Sequence, residues 1–281
     1  MSQTVPSLSG SLGSFAKVDS TNSSDLVERL DTMHMLAFFR AYKQETFALL
    51  GLQPGLAAGD VGCGTGEDAR SMADIVGAGG SVIGFDLSEA MLAEAERRHV
   101  KRGANLRFVR APADDLGLPA ETLDAVRADR VLTHVPDPAR AIREMVRVLK
   151  PGGRVVVSEP DVPGCWVAHR RQETSDRILR TIAMSCRQPF VARDLYHLFL
   201  DAGVVDVRLM LRPLAITEPE PVETILRFGA TVEAMTRDGL LDAEEARQWC
   251  SELEERRSRD RFLAGVTIFI VAGRKPCESQ A

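Results

Sequence analysis

The spacing of apolar and polar positions changes character along this chain. From Ser24 onward, Leu26, Leu30, Met33, Leu36 and Ala37 recur three to four residues apart, the period of a helix. Ser24 is placed to cap that helix, with Val27 and Glu28 in its first turns. A second helical run, from Phe39 to Leu50, stops at Gly51, and Pro54-Gly55 marks a loop. The period then shortens. "SVIGFD" (81–86), "NLRFVR" (105–110), "LDAVRA" (123–128) and "GRVVVSEP" (153–160) are β-rich runs bounded by turn residues. Helical patterns separate them: Glu67 to Val76, Ser88 to Arg102, and Pro138 to Leu149. "AAGDVG" has poor strand propensity, yet a strand is expected there because the glycine run that follows needs one in front of it. Alternating strands and helices predict an α/β fold with a parallel sheet covered on both faces.

Composition narrows the picture. A chain of 281 residues, 44% hydrophobic, can fill one sizeable core and carry appended helices. The net charge of −5 offers no basic face, so no nucleic-acid partner is expected. Cys63, Cys165, Cys186, Cys250 and Cys277 show no C-x-x-C spacing, which reads as free thiols in a reducing compartment, with no zinc or other metal site. The first 25 residues are rich in Ser, Gly and Thr and lack a basic start followed by an apolar run, so they do not read as a secretory signal. No apolar run approaches the roughly 20 residues of a membrane span. A cytoplasmic protein without a membrane partner is expected, with residues 1–22 as a flexible arm. Nothing in the sequence fixes the oligomeric state.

The chemistry gathers around "GDVGCGTGED" (59–68), where Gly62, Gly64 and Gly66 alternate after Asp60. Ligands of open α/β sheets bind beyond the carboxyl ends of the strands. Asp60, Asp86 and Glu159 sit at such ends, and Asp114 lies just past the third strand. Any one of these acids alone reads equally well as a cap or a turn residue; the set points to a ligand. A dinucleotide fingerprint would be G-x-G-x-x-G, but here the third glycine comes one position early and position 67 is Glu. Asp60 would also oppose a pyrophosphate by like charge. A ligand with an ammonium, a sulfonium and an adenosine has the opposite preference. Asp60 and the loop amides suit its amino-acid end, Asp86 its two ribose hydroxyls, and Asp114 its adenine amino group.

Three stretches then carry a family likeness: "DVGCGTGED", "VIGFDLSEAMLAEA" and "APADDLGLPAETLDAVRADRVLTHVPDPARAIREMVRVLKPGGRVVVSEPD". Over residues 56–161 the chain resembles the class I S-adenosylmethionine-dependent methyltransferases, in their ubiquinone-biosynthesis-like, small-molecule branch. The resemblance implies a seven-stranded, mostly parallel Rossmann-like sheet with helical lid insertions. Residues 204–216 and 264–275 would complete the sheet, the last strand antiparallel. It implies S-adenosyl-L-methionine as cofactor, held by Asp60, Gly62, Cys63, Gly64 and Gly66. Asp86 would hold the ribose, with Leu87 and Met91 against the adenine. Ala113 and Asp114 would read the adenine edge, and Ala128 and Arg130 would lie along the methionine part. Ala57, Ala58 and Gly59 stand where the family carries large aliphatic residues. The expected organisation is an arm (1–22), N-terminal helices contributing to the lid (23–55), the cofactor-binding core (56–161), a lid insertion (162–190), more core (191–217), a second lid insertion (218–262) and the last core strand (263–275).

Methyl transfer from a sulfonium is a direct displacement, so alignment supplies much of the rate. A hydroxyl or acidic carbon acceptor also gains from a general base. His134, after the fourth strand, is the first candidate and Glu159 the second; a turn histidine and a capping acid are the plain alternatives. His34 and His169 read as surface or packing residues of the lid. Trp166, Met184, Phe190, Phe228 and Met235 either line an apolar pocket or form the cores of lid helices. "ELEERRSRDR" reads as a solvated helix face. The expected function is methylation of a small-molecule acceptor in specialised metabolism. The same cofactor loop would also serve a non-methylating step such as cyclisation, or a non-enzymatic cofactor sensor.

Overall fold

A computed structural model describes residue 19, residues 23–99 and residues 105–277. Apart from Asp19, the arm expected over 1–22 lies outside the described residues, as does the end of the helix expected to reach Arg102. The chain opens with helices α1 (Ser23–Met35) and α2 (Ala37–Leu50). Because α1 begins at Ser23, Ser24 stands in its first turn and is not its cap. Gly51 closes α2 in the left-handed conformation, φ 62°, its N–H donating to the Ala48 carbonyl.

Strands and helices then alternate: β1 (Ala57–Val61), α3 (Glu67–Val76), β2 (Ser81–Asp86), α4 (Glu89–His99), β3 (Leu106–Arg110), β4 (Leu123–Asp129), α5 (Pro138–Val148) and β5 (Leu149–Pro160). The short β6 (Trp166–Val167), α6 (Gln172–Met184), α7 (Val191–Asp201) and β7 (Val205–Ile216) follow. Helices α8 (Pro219–Leu226), α9 (Phe228–Arg237) and α10 (Ala243–Ser258) precede β8 (Ala264–Arg274). The sheet runs β3-β2-β1-β4-β5-β8, and β8 also pairs with β6 and β7. The two-residue β6 makes eight strands where seven were expected. The first five strands are parallel, and β8 runs antiparallel to its three neighbours.

Each face of the sheet is covered. One core joins the sheet to α5 and α7, through residues such as Ile142, Met145, Leu195 and Phe199. The other joins it to α2 and α3, through Phe47, Leu50, Met72 and Val76. The small residues of β1 are accommodated by neighbours. A Cβ on Gly59 would stand 2.8 Å from Leu123 Cδ1 and 3.4 Å from the Phe85 ring. Bulk supplied by β2 and the start of β4 therefore replaces bulk that β1 lacks. The sequence order turns back on either side of β1, which sits between β2 and β4, and this opens a crevice at the strand ends.

The insertions have a core of their own. Ile178, Leu179, Val222, Phe228, Met235 and Trp249 pack together. Trp249 Nε1 donates to Ser175 Oγ at 2.9 Å, and His169 stacks on the indole at 5.3 Å. Helix α1 is fastened to α8 by Arg29, which donates to the Thr224 and Ile225 carbonyls at 3.0 and 2.8 Å. No helix among the described residues is long and apolar enough to cross a membrane.

Candidate active site

The loop after β1 is shaped by its glycines. Gly62 has φ 68°, and a Cβ there would stand 2.3 Å from Val131 Cγ2, so only glycine fits both the backbone and the space. Cys63 N–H donates to the Phe85 carbonyl, and Gly66 ends the loop as the left-handed N-cap of α3. Asp86, at the end of β2, reaches across to this loop. One oxygen accepts from Gly64 N–H and the other from Ser88 N–H, both at 2.9 Å. Burial nonetheless raises its pKa above the usual carboxylate value. Asp19 accepts from Ser88 Oγ at 2.5 Å and from the Glu89 and Ala90 amides at 3.2 Å, capping α4 beside Asp86.

These groups face a cavity of about 440 Å³, within the range of small-molecule sites. Asp60, Gly62, Cys63, Gly64, Asp86, Leu87, Met91, Ala113, Asp114, Arg130, His134 and Glu159 all line it. Gly66 and Ala128 do not. Gly66 acts through the turn it permits, and Ala128 is buried in the sheet core. Asp114 lies 3.3 Å from Arg140 Nε. Of the apolar candidates, Trp166 lines the cavity, whereas Phe228 and Met235 belong to the core of the insertion helices and Phe190 is exposed. His169 is a packing residue as expected, but His34 lines the cavity.

Beneath the glycine loop lies a charge network that sequence reasoning passed over. Arg127, 1% exposed, contacts Asp60 at 3.2 Å and Asp68 at 2.9 Å, and donates to Thr46 Oγ1 at 3.0 Å. Lys43 pairs with Asp68 at 2.8 Å. Asp129 accepts from Tyr42 at 2.9 Å and Ser158 at 2.6 Å, and Arg130 Nε lies 3.3 Å away. Three carboxylates thus meet three cations, which offsets much of the desolvation of each. The balance differs between the acids. Burial pushes Asp60 up despite Arg127. Burial also opposes ionisation of Asp68, but Arg127 and Lys43 outweigh it and hold that carboxyl low. Arg130, Arg127 and Lys43 do the same for Asp129. The sequence did carry a signal: Arg127 and Asp129 stand in a central parallel strand, where an apolar run is the rule.

Glu159 ends β5 fully buried. Its Oε1 accepts from the Val131 and Leu132 amides at 2.7 and 2.5 Å. Burial pushes its pKa up to about 7, against the pull of those amides and of the nearby Thr133 hydroxyl. Glu159 Oε2 and Thr133 Oγ1 are each buried without a hydrogen-bond partner. His134 is held down at about 4, by burial first and then by the charges of Arg130 and Arg29.

Comparison with known proteins places this geometry. The methyltransferase domain family matches residues 59–157. An uncharacterised 37.1 kDa protein of transposon TN4556 in Streptomyces fradiae is 33% identical over 251 residues, covering 88% of this chain and 70% of the relative. The ubiquinone/menaquinone biosynthesis C-methyltransferase UbiE of Ectopseudomonas mendocina is 39% identical over 127 residues, covering 44% of this chain. That match spans 50% of the relative's length. Among solved structures, the YcgJ protein of Bacillus subtilis superposes with a TM-score of 0.61 at 17% identity, covering 84% of this chain and 99% of that one. The matched domain falls on the strands and loops that build the cavity, and the transposon protein extends the likeness into the insertions, so the chain belongs to the class I S-adenosylmethionine-dependent methyltransferases.

Proposed function

We propose that the protein transfers a methyl group to a small-molecule acceptor enclosed beneath its lid helices, with specialised metabolism as the setting. The observation that carries this reading is one cavity joining the glycine loop and Asp86 to a buried acid and a histidine under α8. The residues present fit S-adenosylmethionine. Gly62, Cys63 and Gly64 of the loop line the cavity together with Asp86, whose carboxylate accepts from the Gly64 and Ser88 amides and retains further acceptor capacity. When bound, the cofactor would supply an electrophilic methyl on sulfur.

The chain's own groups then divide the work. Gly62, Cys63 and Gly64 with Asp60 would hold the amino-acid end, Arg130 would lie along it, and Asp86 would orient the ribose. Leu87, Met91, Ala113 and Asp114 would receive the adenine. Glu159 and His134 are the groups able to take the proton that the acceptor loses. With a pKa of about 7, Glu159 is partly ionised at neutral pH and well matched to that task. His134 is unprotonated there but a weaker base. The enclosure beneath α8 favours a free small molecule over a macromolecular acceptor.

The test is direct. Purified protein is incubated with S-adenosylmethionine labelled in its methyl group and a panel of small phenols, alcohols, amines and acidic carbons. Label should move to a low-molecular-weight product. Tight binding of NAD with none of S-adenosylhomocysteine would overturn the reading.

A further inference from the structure

The cavity has two unlike parts. The cofactor part is walled by the loops after β1, β2 and β3. The other part is walled by Leu214, Ile216, Val222, Ile225, Val266 and Ile268, from β7, α8 and β8. Trp166, 46% exposed, borders it and lies over Gly265, where a Cβ would meet the indole at 2.5 Å. Thr133 and Glu159 line the same cavity, and Glu159 Oε2 and Thr133 Oγ1 are buried acceptor and hydroxyl atoms without a hydrogen-bond partner. Their residues are 0% and 3% exposed. A buried polar atom left unpaired is unfavourable by about 1–3 kcal/mol, and such atoms are few in folded proteins. A ligand group that reached both would remove that deficit.

We propose that this part of the cavity takes an uncharged, largely apolar acceptor bearing one hydroxyl, held between Glu159 Oε2 and Thr133 Oγ1. The inference rests on the methyltransferase reading and names the acceptor class for the same site. A hydroxyl offers one donor and two acceptor positions, so it donates to the carboxylate and accepts from the threonine. An anionic acceptor is disfavoured. The inward-facing cations are committed, Lys43 to Asp68, Arg127 to Asp60 and Asp68, and Arg130 to Asp129, while Arg187 is exposed to water. An ammonium acceptor is disfavoured too. It would lose its water against the apolar wall of Leu214, Ile216, Val222, Ile225, Val266 and Ile268.

Calorimetry on the whole protein tests this, with S-adenosylhomocysteine titrated first. Failure of that first titration overturns the methyltransferase reading itself and with it the acceptor class. The saturated protein is then titrated with 2-naphthol, naphthalene, 2-naphthoate and 2-naphthylmethylamine. The naphthol should bind about tenfold tighter than each of the others. Thr133→Val and Glu159→Gln should each weaken the naphthol by about three- to tenfold and leave S-adenosylhomocysteine unchanged. The parent protein decides the class even where a variant fails to fold. Binding of the naphthoate or the amine as tight as that of the naphthol overturns the proposal. Absence of naphthol binding in protein that holds S-adenosylhomocysteine does so equally. A naphthol affinity unchanged in both variants removes the hydroxyl subsite.

Discussion

At the scale of single residues, the structure gives Asp86 two tasks. It ties the glycine loop to the start of α4 and presents its carboxylate to the cavity. Charge-assisted hydrogen bonds are worth roughly 1.5–3 kcal/mol each. Asp86→Ala should therefore lower affinity for S-adenosylmethionine at least about tenfold, read by calorimetry, while circular dichroism shows a folded chain. Unchanged affinity would remove Asp86 from the cofactor site. A free imidazole titrates near 6.5. Burial and two nearby guanidinium groups move that of His134 to about 4. A lowered pKa keeps the base form down to low pH, so single-turnover methyl transfer should stay flat from pH 8 to 6 if His134 is the base. His134→Ala should then slow it by about 10²–10⁴-fold with cofactor affinity unchanged. A loss of rate in the parent centred near pH 7 and abolished in Glu159→Gln would assign the role to Glu159. Glu159 also bears on stability. Its folded pKa is raised from 4.5 to about 7, so the fold favours the protonated form. That contribution is full below pH 4.5 and is lost as pH rises through 7. At 1.36 kcal/mol per unit, 2.5 units bound it at about 3 kcal/mol. Glu159→Gln stays neutral, so its melting temperature should rise relative to the parent between pH 5 and pH 8. A variant that loses ground at pH 8 would show that the carboxyl ionises readily in the fold.

At the scale of elements, α1 and α8 form a roof pinned by Arg29, with Asp25 and Arg227 3.6 Å apart beside it. Arg29 donates to the carbonyls of Thr224 and Ile225 in the last turn of α8, where a cation also meets the helix dipole. Burial lowers its pKa to about 10, and it remains charged at neutral pH. Arg29→Ala should destabilise the protein by about 1.5–3 kcal/mol in denaturant melts, the range for hydrogen bonds to a charged group. Amide exchange should quicken in α1 and α8 while β1, β4 and β5 stay protected. Uniform loss of protection would mean that the roof and the sheet unfold as one unit. The periodicity named most of these elements because their apolar faces are amphipathic at one clear period. The two-residue β6 escaped it, since so short a strand exists only by pairing with β8. The length of β5 escaped too: it begins at Leu149, four residues ahead of the apolar run, because β4 offers Leu123 as a partner across a bulge.

At the scale of the whole molecule, the buried network joins parts distant in sequence. Tyr42, Lys43 and Thr46 come from α2, Asp68 from α3, Arg127 and Asp129 from β4, and Ser158 from β5. The cavity then lies between a fixed sheet and an insertion layer with its own core. If that layer closes on ligands, hydrogen exchange in α6, α8 and α9 should slow when S-adenosylhomocysteine and an acceptor are both bound, with the sheet strands unchanged. Equal protection with and without ligands would make these helices fixed packing elements. The sequence by itself determined the parallel sheet, the succession of strands and helices along the chain and the acids at the strand ends, because a buried strand, an amphipathic helix and a glycine turn each leave a local pattern. It also marked Asp60, Asp86, Asp114 and Glu159 for the same reason: a residue at or just past the end of a strand is read from the strand. What packs above the sheet leaves no such pattern. Only the tertiary structure decided that Trp166 borders the cavity while Phe228 and Met235 fill the core of the insertion helices, that His34 turns inward, and that Arg127 is neutralised by acids from two other elements. An apolar or charged side chain on a helix or strand records that it will be buried; its partner is chosen by how the layers meet, and that is set by the whole chain.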